Sequence, residues 1–138
     1  QIQKYMSKVS GPLLDRIDLH IEAPRLKYDE MSKESFGETS PMVRERVKKA
    51  REIQAERFKS EGILTNREMS IKYIKKYCAL DETAEKMMRS AVSSMGLSTR
   101  AYHRLLKISR TIADLENSQN IKSQHLAEAL QYRPREEV

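Results

Sequence analysis

From residue 81 onward apolar residues recur every three or four positions, and this spacing most limits the folds open to the chain. Ala84, Met87, Met88, Ala91, Val92 and Met95 form one set. Tyr102, Leu105, Leu106, Ser109, Ile112, Ala113 and Glu116 form a second, and Leu126, Ala127, Ala129 and Leu130 a third. A helix turns once in about 3.6 residues, so each set lies on one face that another element must cover. Asp81, Ser98 and Ser123 stand where an N-cap is needed, Gly96 stops the first helix, and residues 117–120 make a turn. Upstream, Ser40-Pro41 opens a helix over 41–60, with Val43, Val47, Ala50, Ile53 and Phe58 as its stripe and Gly62 beyond its end. A shorter helix is predicted over 68–77, with Ile71, Ile74 and Tyr77 or Cys78 turned inward. The expected fold is mainly α, a small helical bundle.

A different pattern precedes it. Residues 10–22 read SGPLLDRIDLHIE. Gly11-Pro12 suits the entry to a short helical turn, and Ile17, Leu19 and Ile21 then alternate with Asp18, His20 and Glu22 as in a half-buried strand. Pro24 closes that strand. Residues 1–9 show helical spacing at Ile2, Tyr5, Met6 and Val9, residues 25–40 are polar and read as a linker, and 134–138 as a frayed tail. A lone strand has no partner, so this front part is expected to be a helix–turn–strand piece of a larger α/β body, packing irregularly on the bundle or pairing with another copy. The start at Gln1 agrees with a chain that is part of a longer protein.

At 138 residues, 38% hydrophobic and 33% charged, the chain has the length for one modest core. No apolar run reaches the length of a membrane span, and no secretory leader pattern is visible, so no membrane partner is expected. Cys78 is the single cysteine, which excludes an internal disulfide and makes a reducing, cytoplasmic setting the expectation. The net charge of +6 is compatible with phosphate-bearing partners without identifying one. Along 41–60, Arg44, Arg46, Lys48, Lys49 and Arg51 are interleaved with Glu45 and Glu52, a pattern that ion pairing along the helix explains as well as nucleic-acid contact.

Residues 10–22, together with LSTRAYHRLLKISRTIADLE over 97–116 and IKSQHLAEALQYR over 121–133, resemble the C-terminal region of magnesium-chelatase-like AAA+ ATPases of the competence-associated ComM/YifB type. The resemblance implies that residues 1–24 end an AAA+ core, that 41–62 is a pre-lid helix, and that 63–133 is the helical lid. It implies a homo-oligomeric ring whose neighbouring subunits share ATP and Mg2+ sites, with DNA remodelling as the output. It also places Arg16 at the arginine-finger position, acting on the adjacent subunit, and Arg100 at the sensor-2 position, in cis or in trans. A local ion pair of Arg16 with Asp15 or Asp18 is the alternative, and for Arg100 an exposed first-turn arginine. Arg104 and Arg110 read as surface or packing residues. A magnesium-chelatase motor acting on a protein and porphyrin client, and a stand-alone helical DNA-binding module, are the competing functions.

No phosphate loop of the G-x-x-x-x-G-K-[ST] form occurs in the sequence, so this chain alone is not expected to hydrolyse ATP or to hold a cofactor. His20, His103 and His125 lack metal-ligand spacing, the methionines read as core filler, and Cys78 as a buried structural thiol.

Overall fold

The structure is a computed structural model that describes residues 16–25, 28 and 37–133. Among the described residues five α-helices follow one another: α1 (Ser40–Arg57), α2 (Ile71–Tyr77), α3 (Glu82–Ser94), α4 (Thr99–Leu115) and α5 (Ser123–Gln131). A 3-10 turn, Asn66–Glu68, stands between α1 and α2. The bundle expected from the apolar spacing is therefore present, and each of the five helices predicted between residues 41 and 132 has a counterpart.

Local chemistry sets their ends. Asp81 accepts the Ala84 amide at 2.7 Å and Ser98 the Ala101 amide at 3.2 Å, each satisfying a first-turn donor. Gly96 takes φ +56° just past α3, a conformation that costs a residue with a Cβ. Ser123 is not the cap of α5, as the sequence suggested. Lys122 holds that position, and its amide donates to Nδ1 of His125 at 2.9 Å. The predicted helix over 68–77 is split, because Glu68 turns back to accept the Leu64 and Thr65 amides at 3.1 and 2.9 Å and closes the 3-10 turn. α2 starts afresh at Ile71.

α4 and α5 share the most extensive packing, and α1 and α3 lie against that pair. The core joins Phe58, Met88, Leu105, Leu106, Ile121 and Leu126, with Ala84, Ala113 and Ala129 fully buried where helices approach closely. Phe58 meets Tyr77 edge-on at 5.5 Å between ring centres. Three expectations fail at the periphery. Val43 and Val47 of α1 are exposed, and the residues buried there are Ala50, Gln54 and the following Phe58. Ile71 is exposed because α2 is a single short segment with Ile74 as its inward residue. Met95 lies past the last turn of α3 and faces outward.

The strand expected over 17–21 does not form. Residues 17–25 run without regular structure, and Ile17, Leu19 and Ile21 are exposed. The reason is the one the alternation itself implies: a strand needs a ladder, and no described segment offers one. Instead the segment lies irregularly on the bundle, with the His20 amide donating to the Tyr132 carbonyl at 2.8 Å. The short helical turn expected after Gly11-Pro12, the helix over 1–9, most of the linker and the tail at 134–138 lie outside the described residues.

Candidate functional site

Where the front segment crosses α4 it leaves a cleft of about 990 Å3. One wall is the segment itself, with Arg16, Asp18, Leu19 and Ile21. The opposite wall is the exposed side of α4, where Arg100, Arg104 and Lys107 recur at helical spacing, and the 3-10 turn with Arg67, followed by Met69, forms the end. Five guanidinium or ammonium groups thus surround the opening, against two carboxylates, Asp18 and Glu128. The floor is apolar, with Met69, Ile74, Ile108 and Ile112.

Both arginines singled out from the sequence are in this cleft. Arg16 is exposed on the segment wall. Arg100 is exposed in the first turn of α4, one residue inside the helix that Ser98 caps. That end carries free amides and the positive pole of the helix dipole, so an anion beside Arg100 is favoured by both. Of the two partners the sequence offered Arg16, Asp15 lies outside the described residues and Asp18 is engaged elsewhere. Its carboxylate is taken by the Arg104 guanidinium at 2.5 Å, and the same guanidinium donates to the Ile17 carbonyl at 2.6 Å. Lys107 donates to the Arg67 carbonyl at 2.8 Å, and burial pushes its ammonium below the usual lysine value. Arg67 and Lys107 were not singled out from the sequence, although the spacing of Arg100, Arg104 and Lys107 on one helix face was the available signal.

Arg110, by contrast, is interior. Its Nε donates to Asp114 at 3.0 Å, and its other nitrogens reach the carbonyls of Ser118 and Gln119 at 2.6 and 2.8 Å. Asp114 also receives Arg57 and Asn66, so the packing role read for Arg110 is the one it plays. Among the described residues, no group of His, Cys, Asp and Glu is placed to hold a metal ion. His125 is fully buried; since its Nδ1 accepts the Lys122 amide, Nε2 carries the proton shared with Glu116 at 2.9 Å. Cys78 is buried, as expected, with Met69 sulfur 4.0 Å away.

A helical bundle with a cationic cleft beside an arginine-bearing strap is the class the geometry defines. The sequence comparisons narrow it. Residues 37–133 match the family described as magnesium chelatase, subunit ChlI C-terminal, and residues 1–31 match magnesium chelatase, subunit ChlI. The chain belongs to the magnesium chelatase C-terminal family, and within it resembles the ComM/YifB type. It is 47% identical over 134 residues to competence protein ComM of Haemophilus influenzae and 40% identical to YifB of Salmonella typhimurium and of Escherichia coli. Each alignment covers 96% of this chain but 26% of the relative, so the chain spans about a quarter of the length of these proteins. Among the described residues no helix is long and apolar enough to cross a membrane.

Proposed function

We propose that this chain forms the C-terminal lid of a ring-forming AAA+ ATPase, and that Arg16 and Arg100 are offered to the phosphates of ATP at an interface between subunits. One observation carries the reading: the two arginines, taken from separate stretches of the sequence, open on the same cleft. Guanidinium groups suit a polyphosphate because each places several donors against its oxygens, and an arginine near the transferring group can offset the charge that develops there. Arg16 then serves as the arginine finger toward the neighbouring subunit's nucleotide. With Arg100 on the same cleft, both side chains act on one nucleotide, and Arg100 works in trans with it.

The cleft fits the phosphate part of ATP by its donor chemistry. Mg2+ has no such fit, since no carboxylate cluster among the described residues would hold it. The output we propose is DNA remodelling in the cytoplasm. The name of the Haemophilus relative, a competence protein, supports it, because competence is the uptake of DNA. The ChlI family description supports a second reading, a motor acting on a protein and porphyrin client.

The test is ATP hydrolysis by the full-length protein, wild type against Arg16→Ala, followed by mixing that variant with a phosphate-loop mutant. Loss of activity in Arg16→Ala that the mixture recovers is the expected result. An Arg16→Ala protein that hydrolyses ATP normally overturns the assignment. Stimulation by DNA separates the first output from the second.

A further inference from the structure

We infer that Arg104 is a positioning residue, which latches the Arg16-bearing segment onto α4 and thereby brings Arg16 and Arg100 to one cleft. The inference rests on the function proposed above. Its physical content is a bidentate hold on two consecutive residues. Arg104 donates to the Ile17 carbonyl at 2.6 Å and pairs with the Asp18 carboxylate at 2.5 Å, so the backbone next to Arg16 is held in place and orientation together. The Arg104 side chain is 19% exposed and Asp18 52%, so the pair sits partly shielded at the cleft rim. Farther along, the His20 amide donates to the Tyr132 carbonyl and fastens the segment there as well.

These contacts matter because the described part of the segment has no regular structure to fix its course. Ile17, Leu19 and Ile21 are exposed, and among the described residues no ladder pairs its backbone. An arginine on such a strap is a catalytic group only when the strap is fixed, since misplacement by about 1 Å can cost about a hundredfold in rate. Arg104 lies one helical turn beyond Arg100, so the latch also sets the spacing between the two arginines.

The experiment uses the full-length protein with three changes: Arg104→Ala, Asp18→Asn, and the swap of Asp18→Arg with Arg104→Asp. ATP turnover and amide hydrogen exchange over residues 16–21 are measured on each. We expect both single variants to lower kcat about tenfold or more with KM within about twofold, and to raise exchange over 16–21. The swap is expected to recover most of both. Asp18→Asn leaves the bundle untouched, so a folding defect cannot account for its effect. If Arg104→Ala impairs turnover but Asp18→Asn does not, Arg104 contacts the nucleotide directly and the latch is overturned. Unchanged exchange in both single variants overturns it as well, and so does raised exchange with normal turnover. A protein whose Arg16→Ala form is fully active defeats the function proposed above instead, while exchange over 16–21 still decides whether the latch exists.

Discussion

Arg57, at the last turn of α1, and Asp114, near the end of α4, face each other as a two-pronged ion pair, with Arg57 Nη1 2.8 Å from Oδ2 and Nη2 on Oδ1. Asp114 is fully buried, and it accepts from Arg110 at 3.0 Å and from Asn66 at 2.8 Å as well. One carboxylate thus organises α1, the 3-10 turn and the α4–α5 connection. Removing it strands two guanidinium groups in or near the core. Asp114→Ala is expected to cost about 3–5 kcal/mol, read as a lowered urea midpoint with the slope unchanged. A loss near that of an ordinary surface change would show that Arg57 and Arg110 find other partners.

Glu61, just beyond α1, accepts Lys76 Nζ at 2.5 Å and the Tyr77 hydroxyl at 2.7 Å. The lysine donor first, then the tyrosine, hold its carboxyl at about 2, well below the ordinary 4.5. The folded chain therefore binds this proton more weakly than the unfolded chain. The resulting stability is fully present above pH 4.5 and disappears as the pH falls toward 2. In a series of urea midpoints against pH, Glu61→Gln should be flatter than wild type within that window. Parallel curves would remove Glu61 from the acid response.

Burial pushes the Cys78 thiol up to about 11 and covers it with core side chains. At pH 8 a disulfide reagent should label the native protein at least about a thousandfold more slowly than an open thiol, and completely in urea. Rapid native labelling would mean that α2 opens independently of the rest.

The basic side chains of α1 are partly engaged by acids. Arg46 pairs with Glu38 at 2.8 Å and Lys48 with Glu52 at 3.9 Å. With few aromatics for stacking, the 138-residue chain alone should bind DNA weakly or not at all at moderate salt. Submicromolar affinity that collapses steeply between low and moderate salt would favour a stand-alone DNA-binding module.

The helices were legible because Met88, Leu105, Leu106, Ile112 and Leu126 recur at the helical period and are buried together. Ser109, placed inward by that period, is fully buried despite its hydroxyl. The buried ion network was not legible. Arg110 and Asp114 stand four apart, a spacing that usually marks a solvent-facing pair, and Arg57 and Asn66 approach them only through tertiary folding. The strand misled for a related reason: alternation reports which faces are alike, but whether a ladder exists depends on other chain segments. At the cleft, Arg16 and Arg100 were singled out by the family resemblance, not by their spacing, and both line it. Arg67, in a 3-10 turn that the sequence reading did not foresee, came only from the structure.

The strap ahead of α1 touches the bundle at α4, through Arg104, and just past the end of α5, through the Tyr132 carbonyl. Those two helices form the most extensively packed pair in the molecule. A pull on the chain at Arg16 is therefore handed to that pair at two points rather than one.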